Sequence, residues 1–262
     1  MWKWEVTEAK GVFVIVHGAG EYHVRYHWVI EQLTELGYNV IMGDLPGQGT
    51  TDGPRGHVNR FSDYVTVVKG WLREARKYKL PVTLLGHSMG GLISIHTLMN
   101  LSKNELPNVA VLSSPCLGLV NNPTFSKKTA SYLLNYVAPK IRFPSGLEPG
   151  SGTRDEWMRQ RDFTDDLLIK RVSVRWYREL ANAIRTAQDK HGQFPAIPLL
   201  VTQGGDDRIV NKNEVKRWFD TLTLTDKYYK EWDSFYHEVL NDPGKEKVLA
   251  HLIGFVTLHE TW

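Results

Sequence analysis

Short apolar runs along the chain alternate with longer stretches in which apolar positions recur every three or four residues. The runs fall at 12–16, 38–43, 82–85, 109–112, 199–202 and 228–232. The first five are nearly continuous in Val, Ile and Leu, the pattern of parallel strands covered on both faces. Between them, Trp28, Val29, Leu33 and Leu36 predict a helix over 26–36. Phe61, Tyr64, Val65, Val68, Leu72 and Ala75 predict another over 61–78, with Ser62 and Asp63 suited to capping its start. Further helices are expected from Met89 and over 245–258. Strand and helix in series mean an α/β fold with a doubly wound, mostly parallel sheet, whose ligand site lies at the carboxyl ends of the strands.

The alternation breaks once. Residues 117–170 are rich in Pro, Gly and charge and offer no convincing strand. Ala130, Leu133, Leu134 and Val137 fall on one helical stripe, so an amphipathic helix is expected there. From Val172, Trp176, Leu180, Ile184 and Ala187 restore a long helix. The reading is a core in two parts, 1–116 and 171–262, with 117–170 inserted as a cap over the strand ends.

Of the 262 residues, 42% are hydrophobic and 23% charged, which places the chain among folded globular proteins. The net charge of +3 is small and its basic residues read as spread along the chain, so no nucleic-acid partner is expected. A mild attraction to anionic lipid is permitted. Cys116 is the single cysteine, which fits a reducing, cytoplasmic setting and reads as a small buried apolar residue. No leader-like segment is visible, and the apolar runs of about five residues are too short to span a bilayer.

The chemistry begins at Gly86-His87-Ser88-Met89-Gly90. An apolar strand precedes it and a helical pattern follows, the context in which G-x-S-x-G forms a nucleophile elbow. A serine hydroxyl needs a base. On this architecture the acid and then the histidine follow the serine, each just past a strand. Asp206 and Asp207 follow one strand and His237 follows the next, and residues alone leave both aspartates open. His237 heads HEVLN, which has Asn241 where a zinc signature needs its second His, so no metal or other cofactor is expected. Gly47-Gln48-Gly49 misses the spacing of a dinucleotide loop. Asp44 ends a strand and is read as structural.

HGAGE…RY, GDLPGQGTTDGPRGH, PVTLLGHSMGG, VLSSP and QGGDDRIV, in that order and over nearly the whole chain, resemble the α/β-hydrolase family, in particular its monoacylglycerol lipase and lysophospholipase branch. The resemblance implies an α/β-hydrolase fold with a mobile helical cap over an acyl channel. It implies Asp207 as the acid, and the backbone N–H groups of Ala19 and Met89 as the oxyanion hole. It implies contacts from Glu21 and Arg25 to the substrate alcohol, although four-residue spacing also suits a plain surface ion pair. Two departures stand out. Leu240 occupies the place of that branch's second histidine, so lysophospholipids and short-chain esters stand beside monoacylglycerols as expected substrates. About ten residues precede the first strong strand, so the usual eight-strand sheet should lack an edge strand.

The expected activity is serine-dependent hydrolysis of a small acyl ester or lipid, with peripheral membrane contact through the cap allowed. Two alternatives remain. One is a peptidase of the proline-iminopeptidase type, with Glu156 or Asp165 anchoring a substrate amine. The other is a non-catalytic binding module on a hydrolase scaffold.

Overall fold

A computed structural model describes residues 1–121, 125–148 and 150–259. Its strands are β1 (Trp2–Trp4), β2 (Gly11–Val16), β3 (Tyr38–Met42), β4 (Val82–His87), β5 (Val109–Ser113), β6 (Arg142–Pro144), β7 (Arg171–Ser173), β8 (Leu199–Gly204) and β9 (Lys227–Trp232). Its helices are α1 (His27–Glu35), α2 (Phe61–Arg76), α3 (Met89–Met99), α4 (Phe125–Val137), α5 (Glu156–Thr164), α6 (Val174–Asp189), α7 (Lys212–Thr221) and α8 (Lys245–Leu258).

Seven strands form the central sheet in the order β1-β3-β2-β4-β5-β8-β9. Only β1 runs antiparallel, against β3 at the edge. All six strands expected from the apolar runs are present, and the sheet has one strand fewer than the usual eight. The pleat divides β2 between two cores. Val12, Val14 and Val16 pack with α2, α3, α6 and α7, while Phe13 and Ile15 pack with α1 and α8.

The pattern of apolar residues missed five elements, three strands and two helices. Strand β1 is three residues of Trp-Lys-Trp, too short to show a period. Strands β6 and β7 are equally short and form an antiparallel ribbon. That ribbon places a strand inside 117–170 and carries it to Ser173, beyond the expected boundary. Helices α5 and α7 were not foreseen, because α5 is mostly polar and α7 has only Val215, Trp218 and Phe219 as its buried stripe. At the start of α2, Asp63 accepts from the Arg60 N–H at 3.1 Å, while the Phe61 N–H is taken by Glu179 at 2.8 Å.

The cap helix forms as expected, and the spacing of Glu21 and Arg25 has a different origin from a helix. Helix α4 forms, but its apolar stripe is not buried: Leu133 is 67% and Val137 63% exposed. Periodicity reports a face that avoids water in a core, and α4 stands on the cap where no core covers that face. Glu21 lies ahead of the helical residues. The chain is extended at Tyr22, makes a 3-10 turn over His23–Tyr26, and enters α1 at His27.

Candidate active site

The sequence places Ser88 between β4 and α3, and the backbone there takes φ 53° and ψ −119°. This is a conformation few side chains adopt and costs about 1–3 kcal/mol. The surroundings hold it. The Ser88 N–H donates to the Ser113 carbonyl at 2.9 Å, and its own carbonyl accepts from Leu92 and Cys116. The glycines are required by space: a Cβ on Gly90 would strike the Val16 and His17 carbonyl oxygens, and one on Gly86 would strike Ser94 and Gly90.

Asp207 lies just past β8 and His237 just past β9. The Asp207 carboxylate accepts from His237 Nδ1 at 2.8 Å. A carboxylate can only accept, so the imidazole proton sits on Nδ1 and Nε2 is left with a lone pair. Asp207 is fixed further by the amides of Ile209 and Val210 at 2.9 and 2.8 Å and by Gln203 Nε2 at 2.8 Å. Burial would push its carboxyl up, but His237 and those amides hold it below its ordinary range. Burial likewise opposes charge on His237, and Asp207 outweighs it, so the imidazole pKa is raised. Asp206 is exposed and bonds no histidine side chain. The Ser88 hydroxyl makes no hydrogen bond to His237 here, but both side chains line one cavity. Such contacts often tighten only when substrate binds.

The HGAG turn is built around one free amide. His17, buried and kept neutral by desolvation, accepts the Leu45 N–H at Nε2 and bonds the Gly18 carbonyl through Nδ1. The Gly18 N–H donates to Glu21 and the Gly20 N–H to Gln48. Between them, the Ala19 N–H has no acceptor among the described residues. Gly18 lies against Ser88, since a Cβ there would sit 3.0 Å from Ser88 Cβ. Met89 opens α3, so its N–H has no carbonyl one turn back in the helix. Two amides beside Ser88 are therefore unspent, at a helix start that favours negative charge.

Glu21 and Arg25 are buried, which excludes a surface pair. Glu21 is consumed by its surroundings: it accepts from the Gly18 amide, from Tyr26 Oη at 2.7 Å and from Arg25 Nε at 3.2 Å. Arg25 also binds Asp162 of α5 through Nη1, and Glu238 through Nη2 at 2.9 and 2.7 Å. One guanidinium thus joins three carboxylates, all four groups lining the cavity. Burial and Arg25 act on Glu238 in opposite senses, and Arg25 prevails, so its carboxyl is held low. On Asp162 burial prevails and the pKa is raised. Sequence reading missed both. Glu238 could have been suspected as the neighbour of His237; Asp162 carries no signal, since α5 has no clear polar–apolar period.

The other groups considered lie elsewhere. Leu240 packs in the α1/α8 core. Asp44 accepts from the amides and side chains of His23 and Thr50, ordering its own loop. Glu156 pairs with Arg159 on the surface, and Asp165 accepts from Tyr22. Cys116 lines the cavity with its thiol pushed up to about 12 by burial.

The cavity itself measures about 820 Å³ and is walled by the cap and α6 through residues such as Leu134, Ile141, Phe143, Trp176 and Leu180. Its walls are largely apolar, and Glu148, Ser151 and Lys170 line it besides Ser88, His237 and the Arg25 cluster.

Comparison with known proteins agrees with this architecture. The family model described as "Serine aminopeptidase, S33" matches residues 7–244. Phospholipase YtpA of Bacillus subtilis is 45% identical over 248 residues, covering 95% of each chain. Monoglyceride lipase of Rattus norvegicus is 30% identical over 243 residues, covering 87% of this chain and 75% of its own. The crystal structure of Paleococcus ferrophilus monoacylglycerol lipase superposes with a TM-score of 0.88 at 27% identity, covering 98% of both chains. The match along most of the chain, together with the elbow and the sheet order, establishes that the protein belongs to the S33 family of α/β-hydrolases.

Proposed function

We propose that the protein is a serine ester hydrolase that cleaves single-chain acyl esters through an acyl-enzyme. The observation that carries this reading is the convergence of Ser88, the Asp207–His237 pair and the amides of Ala19 and Met89 on one apolar cavity. The similarity to a phospholipase and to monoacylglycerol lipases supports acyl esters as the substrate class.

Ser88 Oγ attacks the ester carbonyl as His237 Nε2 takes its proton. The C–O bond to serine forms, and the carbonyl oxygen becomes an anion that accepts from Ala19 and Met89 N–H. His237, now cationic, is stabilised by Asp207 and returns the proton to the leaving alcohol as the old ester bond breaks. Water repeats the sequence: His237 takes its proton, hydroxide adds to the acyl carbon, and Ser88 leaves carrying the proton. The acyl chain lies along the apolar wall. The alcohol faces Asp162, which accepts one hydrogen bond among the described residues, from Arg25, whereas Glu21 and Glu238 each accept three. Monoacylglycerols, lysophospholipids and short esters all fit this description.

A Ser88→Ala protein should lose ester hydrolysis and labelling by a serine-directed fluorophosphonate. Turnover at the wild-type rate by that variant overturns the reading. A second reading, amine-terminal peptide hydrolysis, draws on the carboxylates of Glu21, Glu148, Asp162 and Glu238 that line the cavity. The earlier anchors do not serve it, since Glu156 and Asp165 do not line the cavity. A peptide amide cleaved faster than its matched ester would favour it.

A further inference from the structure

Two imidazoles stand side by side at the cavity wall, and the proposed hydrolysis uses only one of them. His87, the residue before Ser88, ends β4. Its ring centre lies 4.8 Å from that of His237. Both residues are buried, and both line the cavity.

The His87 ring is held through one nitrogen. Nδ1 lies 3.2 Å from the Ser113 carbonyl oxygen and 3.1 Å from Ser113 Oγ. A carbonyl can only accept, so Nδ1 carries the proton and Nε2 a lone pair. The same carbonyl takes the Ser88 N–H, so Ser113 fixes both the Ser88 backbone and this ring. Nε2 has no hydrogen-bond partner among the described residues. Its edge of the ring faces the alcohol side of the cavity: Cδ2, the atom bonded to Nε2, would lie 3.3 Å from a Cβ on Gly18, in the turn that leads to Glu21. Burial keeps the imidazole neutral and the neighbouring His237 adds to this, while Glu21, Glu238 and Asp207 oppose it in that order. The lone pair is therefore free to accept near neutral pH.

We propose that His87 is a second catalytic acceptor that serves deacylation alone, its Nε2 binding the hydrogen of the attacking water that His237 does not take. The inference rests on the proposed acyl-enzyme. A water about 2.8 Å from an acceptor on each hydrogen holds the two acceptors roughly 4.5 Å apart, a separation that these neighbouring rings allow. His237 Nε2 removes one proton as the water oxygen bonds the acyl carbon. That proton passes to Ser88 Oγ as its bond to the acyl carbon breaks. The hydrogen held by His87 stays on the water oxygen and leaves as the hydroxyl hydrogen of the free acid. Acylation offers His87 nothing to accept, because the ester oxygen carries no hydrogen and the transferred proton belongs to Ser88 and His237. The two half-reactions therefore differ in their need for this residue.

The test is stopped-flow release of p-nitrophenol from a short p-nitrophenyl ester, with intact mass spectrometry of acid-quenched enzyme. His87→Phe keeps a flat ring against His237 and removes the acceptor. It should form the acyl-enzyme, and react with a fluorophosphonate, at close to the wild-type rate. Its deacylation should slow by about tenfold, so that more of Ser88 carries the acyl group at steady state. His87→Gln, with an amide oxygen near the Nε2 position, should recover part of the loss. Methanol as acceptor separates this role from general damage, since its one hydroxyl hydrogen goes to His237 and none is left for His87. The ratio of methyl ester to free acid should therefore rise by about tenfold in His87→Phe. Circular dichroism spectra should be unchanged. Three results would overturn the proposal: wild-type deacylation by folded His87→Phe, equal slowing of acylation and deacylation in both variants, or an unchanged methanol ratio. A wild-type protein that forms no acyl species on Ser88 refutes the proposed activity itself, whereas an acyl-enzyme together with any of those three results refutes this role alone.

Discussion

Glu238 accepts from Arg25 Nη2 through both carboxylate oxygens, at 2.9 and 2.7 Å, and it is the residue next to His237. Arg25 holds Asp162 of the cap helix with its other terminal nitrogen. The base of the proposed reaction, the alcohol side of the cavity and the seat of α5 therefore share one buried guanidinium.

Arg25→Met should destabilise the protein by about 3–5 kcal/mol near neutral pH, because three largely buried carboxylates lose the guanidinium that pairs with all of them. Arg25→Lys should recover little of this, since an ammonium cannot reproduce the fork that contacts all three. The pH dependence distinguishes the cause. In the wild type, the depressed Glu238 contributes stability that is fully present above the ordinary glutamate value of 4.5 and is lost as pH falls through its lower folded value. Asp162, with its raised folded value, acts in the opposite sense. Without Arg25 burial pushes the Glu238 and Asp162 carboxyls up unopposed by that charge, so the variant loses stability as pH rises. Urea denaturation should show the gap between the two proteins narrowing toward pH 4. A gap that stays constant with pH would mean lost packing, not lost charge pairing.

Glu238→Gln tests how the cluster acts on the base. Glu238 and Glu21 add to the effect of Asp207 in raising the His237 pKa. Ester cleavage needs His237 neutral, so kcat/KM should rise with pH through a value above that of an ordinary histidine. Removing the Glu238 charge lowers the His237 pKa, and the acid limb should move to lower pH. A limb that stays in place while kcat/KM falls would leave Glu238 a structural role only.

The fold and the candidate reacting groups were legible in the sequence, whereas the surroundings of those groups were not. Five parallel strands read directly because each is covered on both faces and must be apolar throughout. Ser88 reads because its turn excludes side chains at Gly86 and Gly90, leaving a spacing as a trace. Choosing Asp207 over Asp206 needed either a family resemblance or the fold, because two adjacent aspartates have the same local pattern. Glu21 and Arg25 were paired correctly for an incorrect reason. Their contact arises from an extended residue followed by a 3-10 turn, not from helical spacing. Asp162 lies 137 residues from Arg25, and no local pattern reports a contact at that range. The stripe on α4 was read correctly as apolar, but a period cannot tell whether protein covers it.

Gly18→Ala should lower kcat by about 100-fold or more with a smaller effect on KM. An added Cβ would lie 2.8 Å from Glu21 Oε1 and 3.0 Å from Ser88 Cβ, so the turn must shift. That shift moves the Ala19 amide, and losing one oxyanion donor costs about 3–4 kcal/mol in the transition state. The ground-state acyl chain sits elsewhere and should bind nearly as before. Steady-state kinetics on one soluble ester suffice. A variant with raised KM and unchanged kcat would argue that the Ala19 amide does not meet the developing anion.

The size of the cavity sets the dependence on acyl length. Each methylene moved from water to an apolar wall contributes about 0.8 kcal/mol, so kcat/KM should rise about fourfold per added methylene through a homologous ester series. The rise should stop once the chain fills the roughly 820 Å³ space walled by residues such as Leu134, Phe143 and Leu180. Leu134 is 36% exposed on α4 and can be enlarged without disturbing the main core. Leu134→Trp should therefore shorten the optimal chain while leaving kcat/KM for acetyl and propionyl esters near the wild-type value. Equal kcat/KM across the wild-type series would remove the acyl chain from the cavity, and an unchanged optimum in Leu134→Trp would remove α4 from its wall.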